Sequence, residues 1–225
     1  MLESVRLRYE GCCMMLMSIE EDRGIFLGSA FLVHSKGYAL TAAHILPNKA
    51  ELGLVPAQPA GSFVPLTMEQ VTPVPVEVVR RDTEHDVALL KLIPDLGIAV
   101  PSHIMGNPAE TPLGTTVMSM GFSFAHYRLH SVVSLQATLS AKVLSAHQAH
   151  ILLFDTPIHP GDAGGPLINA RDERIIGVVL GPFAASDLVA ESTGSKPDSA
   201  SSAISQAISI EYGIELMKQE GLDLL

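Results

Sequence analysis

His85-Asp86-Val87-Ala88-Leu89-Leu90-Lys91-Leu92 is the stretch on which the fold turns. It is an apolar run flanked by charge, the pattern of a strand buried on both faces. Outward from it, the chain punctuates like an all-β protein, with short β-branched or apolar runs between Gly, Pro and Asn signals. Residues 12–19, 26–34, 37–41, 74–80, 115–120, 132–144, 151–155, 167–169 and 175–180 also read as strands. Fifteen prolines and 18 glycines fall mostly between these runs, where turns need them. Residues 47–73 read as a long connection with room for one strand, and 184–202 as a mobile loop rich in Ser, Ala and Asp. Pro101 to Pro112 is a linker between halves of similar size. Each half holds about six candidate strands, which predicts two packed β-barrels, residues 1–105 and 106–225. Ile210, Ile214 and Met217 recur at helical spacing, so a helix closes the chain, capped by Ser209, ended by Gly221 and packed on the second barrel.

With 47% hydrophobic side chains in 225 residues, the chain is ample for a buried core, which excludes intrinsic disorder. Fourteen basic against 24 acidic residues give a net charge of −10, a surface that repels a phosphate backbone, so no nucleic-acid partner is expected. No stretch approaches the roughly 20 apolar residues of a membrane span. The apolar run from Gly11 to Ile19 ends in Glu20-Glu21-Asp22 without a small-residue cleavage site, so it reads as a strand rather than a signal peptide. Within it, Met14-Met15-Leu16-Met17 reads as core, since Met fills irregular gaps, with an oligomer contact as the alternative. The two cysteines, Cys12 and Cys13, are adjacent and cannot staple distant segments. A reducing compartment, the cytoplasm, is therefore expected.

Three short stretches carry chemistry. Leu40-Thr41-Ala42-Ala43-His44 is a strand running into a turn that ends in histidine. His85-Asp86-Val87 places an acid at the head of the buried strand. Pro160-Gly161-Asp162-Ala163-Gly164-Gly165-Pro166-Leu167 is a glycine turn. Any one alone is modest evidence, but the three in that order are strong.

In these stretches the chain resembles a trypsin-like serine protease of the chymotrypsin fold, nearest the high-temperature-requirement (HtrA) type. Gly28-Ser29-Ala30-Phe31-Leu32-Val33 and Gly37 through His44 resemble the approach to the family's catalytic histidine. Asp86-Val87-Ala88-Leu89-Leu90 resembles the strand bearing its aspartate, and 155–166 the segment leading into its nucleophile turn. The likeness extends through Ile175-Ile176-Gly177-Val178-Val179 to the closing helix, about residues 12 to 220 in all.

The chemistry explains why such residues belong together. A serine hydroxyl is a poor nucleophile until an imidazole takes its proton, and the imidazole needs a carboxylate to fix its tautomer. Backbone N–H groups of a tight turn then hold the oxyanion of the tetrahedral intermediate. The resemblance assigns His44 as base, Asp86 as orienting acid, and Gly161 and Ala163 as the oxyanion-hole amides. No cofactor is implied. At the nucleophile position, however, stands Ala163, and a methyl group cannot attack a carbonyl, so the chain is expected to be inert. Two origins stay open: an engineered serine-to-alanine change in a peptidase, or a natural pseudoprotease serving as a peptide-binding or scaffold module.

Further expectations follow from the resemblance. Pro157 falls where trypsin carries the acid that selects Arg and Lys, so a basic preference is not expected. Thr156, Pro157 and Ile158 with Leu180 and Gly181 form a largely apolar wall, and His159 is a competing polar contact. Leu180 to Pro182 would pair with the substrate backbone as an added strand, although Pro182 lacks an N–H for it. The chain has no zymogen-type cleavage site, so Asp162 is expected to be held by a side chain or backbone group, and the site to mature by ordering. The expected partner is a peptide or unfolded protein, with a homo-oligomer or a partner domain of a longer chain left open. Nine histidines do not make a metal site: His147 and His150 would face opposite sides of a strand, and His126 and His130 lack acidic or cysteine partners at ligand spacing.

Overall fold

Along the strand Val87–Leu92, successive side chains enter two different cores, Ala88 and Leu90 one and Val87 and Leu89 the other, all four fully buried. That is what two packed barrels demand of a shared wall. The computed structural model describes residues 2–20, 23–58, 63, 71–183 and 203–223. A helix α1 (Leu2–Tyr9) precedes strands β1 (Cys13–Glu20), β2 (Arg23–His34), β3 (Tyr38–Ala42), β4 (Glu51–Pro56), β5 (Val74–Asp82) and β6 (Val87–Leu92). Then follow β7 (Thr116–Gly121), β8 (Val133–Leu144), β9 (His150–Phe154), β10 (Pro166–Asn169), β11 (Arg174–Pro182), β12 (Ser205–Ser209) and α2 (Ile210–Gln219). The strands close two antiparallel barrels in the orders β1-β2-β3-β6-β5-β4 and β10-β11-β12-β9-β8-β7. This is the all-β, twin six-stranded architecture expected.

Each barrel has its own interior, around Leu16, Leu32 and Leu90 in the first and Leu139, Phe154 and Ile176 in the second. A third cluster, with Phe31, Leu89, Met120, Phe122 and Val178, fills the seam between them. Met14 and Leu16 face the first interior while Met15 and Met17 face the seam, so the methionine-rich run is core. Cys12 and Cys13 likewise divide between the first interior and the seam, and neither is in a disulfide. Burial pushes the Cys12 thiol up to about 11, against a smaller lowering by Arg8, and pushes Cys13 higher still. Both thiols are therefore expected to resist maleimide in the folded protein and to label together on denaturation, read by intact mass. Labelling of either without unfolding would contradict this packing.

The chain's two ends cross over. α1 was not expected, because its eight residues bury only Val5 and Tyr9 and show no apolar stripe. It docks on the second barrel's β10–β11 turn, where the Tyr9 hydroxyl donates to the Glu173 carbonyl at 2.6 Å and Arg8 pairs with the Glu173 carboxylate at 3.5 Å. α2 touches β11 and β12 but also lies against β5 and β6, so it packs on both barrels rather than on the second alone. Ser209 precedes it without capping it: still a strand residue, its hydroxyl is buried with no hydrogen-bond partner among the described residues. Gly221, at φ +71°, ends the helix as expected, with Leu222 N–H donating to the Met217 carbonyl at 3.0 Å. The linker is stitched to β11, where Ile175 N–H donates to Ile104 and Gly106 N–H to Ile175. The 184–202 segment expected to be a mobile loop lies outside the described residues. Among the described residues no helix is long and apolar enough to cross a membrane.

Candidate active site

The register of β3 against β6 builds the first half of the site. Ala42 lies opposite Val87, and Ala43 N–H donates to the Asp86 carbonyl at 3.2 Å, which brings the two strand ends together. His44 follows β3 after one intervening residue, Ala43, and Asp86 immediately precedes β6. Asp86 Oδ2 lies 2.7 Å from His44 Nδ1, and Oδ1 accepts the His44 backbone N–H, also at 2.7 Å. One carboxylate thus fixes both the ring and the backbone of the histidine, the arrangement that presets a tautomer. Asp86 itself adopts φ +54°, a left-handed conformation that Asp tolerates better than most residues. The turn after β3 is braced from outside: Arg81 Nη2 donates to the carbonyls of Ala43 at 2.8 Å and Leu46 at 2.9 Å, bracketing His44.

The second half is the turn from Pro160 to Gly165. Residues 160–162 form a single 3-10 turn, and Ala163 follows it, 4% exposed, with its N–H directed at the Pro160 carbonyl at 3.4 Å. Three glycines make this turn possible. A Cβ on Gly161 would lie 2.3 Å from the Phe122 carbonyl oxygen, and on Gly165 2.2 Å from that of Met120. Gly164, at φ +87°, is more constrained still: its Cβ would meet the Ser29 carbonyl oxygen at 2.1 Å. The two halves meet at Gly28, where an added Cβ would touch Ile45 Cδ1, next to His44, at 2.7 Å and the Ala163 carbonyl oxygen at 2.8 Å. Ser29 N–H donates to that same carbonyl at 2.8 Å.

Buried hydroxyls that the motifs contained but sequence reasoning did not single out hold these pieces in place. Ser29 Oγ donates to the Gly161 carbonyl at 2.7 Å and accepts the Phe122 N–H at 2.9 Å, while Thr41 Oγ1 donates to the Ser29 carbonyl. The signal available was their position inside Gly28-Ser29-Ala30 and Thr41-Ala42-Ala43-His44, where polar residues interrupt otherwise apolar strands.

Asp162 is 2% exposed. Its Oδ1 accepts from Ser123 Oγ at 2.6 Å and its Oδ2 from the His159 N–H at 2.9 Å, so a side chain and a backbone group hold it. Burial pushes its carboxyl up, only partly offset by those two bonds and by the nearby His159 ring. A folded pKa above the unfolded one means the native state holds the proton more tightly, a contribution that favours folding at low pH. It is lost as pH rises from the ordinary carboxylate value through the raised one. Asp162→Asn lacks this loss, so its stability relative to the parent is expected to improve across that window, whatever its constant offset. Urea denaturation of both proteins from about pH 4 to pH 8 measures it. A difference independent of pH would contradict the raised carboxyl.

Of the other expected site residues, Thr156 is half-buried, its carbonyl accepting from Ser205 Oγ at 2.6 Å, and Pro157 is exposed. Ile158 is 5% exposed and packs in the second barrel's interior, so its side chain is core. His159 is exposed, its ring 4.4 Å from that of Phe124. Leu180 and Gly181 are half-buried, with open space beside Gly181. β11 pairs with β12 through Pro182, but its pairing with β10 ends at Val178, followed by the bonds of Val179 to Gly164 and Gly165. Among the described residues Leu180–Pro182 therefore leaves that edge unpaired. His147 lies in a turn rather than a strand, and no group of three described His, Cys, Asp or Glu residues is placed to hold a metal ion.

Comparison with known proteins finds a family model described as a trypsin-like peptidase domain over residues 28–178. A probable periplasmic serine endoprotease, DegP-like, of Ectopseudomonas mendocina is 27% identical over 154 residues, covering 68% of this chain and 28% of that protein. Its counterpart in Halomonas elongata is 28% identical over 162 residues, covering 71% and 30%. The chain thus spans under a third of the length of these relatives. Among solved structures, the HtrA-type protease AlgW with a tripeptide superposes with a TM-score of 0.70 at 19% identity, covering 97% of this chain and 62% of that one. AlgW with a decapeptide gives the same TM-score at 18% identity, covering 97% and 66%.

Proposed function

The chain belongs to the trypsin-like peptidase family, and from that premise we propose that it is the protease domain of an HtrA-type serine endopeptidase acting on peptides or unfolded protein. In this reading His44 is the general base and Asp86 its orienting acid. Ala163 stands at the nucleophile position, and its amide and that of Gly161 form the oxyanion hole. The observation that carries it is the 2.7 Å His44–Asp86 pair, joined by a second bond to the His44 backbone, beside a glycine turn of the required shape. The same chemistry makes the chain as it stands inert, for no hydroxyl is present to attack. Introducing that hydroxyl by Ala163→Ser and assaying casein cleavage tests it. The alternative, a natural pseudoprotease that binds peptides without cutting them, is favoured by Ala163 alone.

The oxyanion hole is closed in this conformation. The Ala163 N–H is directed at the Pro160 carbonyl, the place an oxyanion would take, so catalysis requires that carbonyl to swing away. Asp162, held by Ser123 and His159 rather than by a free amine, supports maturation by such ordering without a cut. The proposed boundary between the two units is at residues 105 and 106.

Substrate would lie along the unpaired edge of Leu180–Pro182, its backbone adding a strand. Thr156, Pro157, Leu180 and Gly181 would wall the side-chain pocket, with His159 at its rim. No carboxylate stands among them, which supports a non-basic preference.

The cytoplasmic expectation rests on a sequence without a recognisable signal peptide and without a disulfide framework. Cys12 and Cys13 are both buried and unpaired, a packing that does not depend on the compartment, so the disulfide argument no longer discriminates. The relatives' names point to a periplasm.

A further inference from the structure

The turn that delivers Asp86 is itself held by a second histidine–carboxylate pair. Asp82 Oδ1 accepts the backbone N–H groups of Glu84 and His85, both at 3.0 Å, and its Oδ2 lies 2.7 Å from His85 Nδ1. His85 is thereby fixed in orientation, and its ring face is covered by Tyr212 of α2. The two rings stack with centroids 3.8 Å apart and planes 14° from parallel. Tyr212 is anchored in turn to the second barrel, its hydroxyl accepting the His150 N–H of β9 at 2.9 Å. At the other end of the helix Glu220 pairs with Arg80, on the strand that feeds the same turn, at 2.9 Å. Between these ends the helix meets the side chain of Leu40 on β3, the strand that leads to His44: a Cβ on Gly213 would fall 2.6 Å from Leu40 Cδ1.

A left-handed non-glycine residue such as Asp86 is strained and persists only where its surroundings over-determine it. We propose that Tyr212 is a positioning residue: stacked on His85, it holds the 82–86 turn so that Asp86 reaches His44. The consequence for catalysis rests on the protease reading above, whereas the consequence for geometry does not.

The chain as it stands supplies the first test, because the His44 amide donates to Asp86 Oδ1. Hydrogen exchange by NMR on Tyr212→Ala is expected to speed that amide at least tenfold while leaving β9 amides such as Leu153 unchanged. Tyr212→Phe, which keeps the stack, should stay within twofold of the parent. Tyr212→Leu, which fills the volume without stacking, serves if the alanine variant does not fold. Unchanged His44 protection, or equal loss at His44 and Leu153, would overturn the proposal. In the Ala163→Ser background, Tyr212→Ala should lower kcat about tenfold with KM changed less than twofold, and an unchanged kcat would likewise overturn it. If the Ala163→Ser protein neither cleaves casein nor labels with a fluorophosphonate while His44 exchange still responds to Tyr212→Ala, the protease reading falls and the positioning role stands.

Discussion

Ala163→Ser is expected to turn an inert chain into an endopeptidase, raising casein hydrolysis by a factor on the order of 10⁴ or more. At about 1.4 kcal/mol per factor of ten, that is some 6 kcal/mol of transition-state stabilisation gained by one oxygen atom. The gain is so large because His44 is already oriented by Asp86, so that beyond the new hydroxyl only the Pro160 carbonyl has to swing away. His44→Ala added to the serine form should return it to baseline, since the hydroxyl then has no base. Fragment masses would give the cut sites, with apolar rather than basic residues expected on the acyl side. A fluorophosphonate separates the two ways the assay can stay silent. Labelling of the introduced hydroxyl without casein cleavage would mean a functional nucleophile in a domain whose hole stays closed to protein substrates. Silence towards both reagents in a folded protein would overturn the peptidase reading in favour of a binding module.

Gly164→Ala carries the largest expected cost to stability. At φ +87° an L-residue loses about 1–2 kcal/mol in backbone strain alone. The new Cβ would also sit 2.1 Å from the Ser29 carbonyl oxygen and 2.3 Å from Thr41 Oγ1, distances that no real contact reaches. The turn must then shift and weaken the 2.8 Å bond from Gly164 N–H to the Val179 carbonyl, for a further 1–3 kcal/mol or so. A total of about 3 kcal/mol lowers the melting midpoint by roughly 6–12 °C in a chain of this size. Gly181→Ala is the matched control: nothing lies within 4 Å of its Cβ position, so a change within about 0.5 kcal/mol is expected. Equal melting midpoints for the two variants would mean that the 160–165 turn is not held as described.

Most strands were legible because their signal is local. The apolar run of β6 and the glycine- and proline-marked turns state strand and turn wherever the chain goes. The pairing of His44 with Asp86 was legible only through the order of the three stretches and the family resemblance they carry, because a histidine or an acid at the end of one apolar run is by itself modest evidence. The elements misread were those whose stability comes from elsewhere. α1 has no stripe of its own and is fastened to Glu173, more than 160 positions away. Ser209 looked like a helix cap because a serine before an apolar helix usually is one, yet it belongs to the last strand and turns its hydroxyl inward. Ile158 looked like pocket wall from its distance to Ala163, and only the barrel's closure directs it into the core.

The sequence by itself determined the class of fold and the order of the three chemical stretches, since each is a matter of residue type and short-range pattern. The tertiary structure alone decided how those stretches meet. The register that sets Ala42 against Val87 makes a bonded pair of His44 and Asp86. Closure of the second barrel fixes where Ile158 and Asp162 point, and the path of α2 lays Tyr212 on His85. Such contacts join residues tens to more than a hundred positions apart, and their geometry follows from strand pairing and packing volume rather than from the local preferences a linear pattern records.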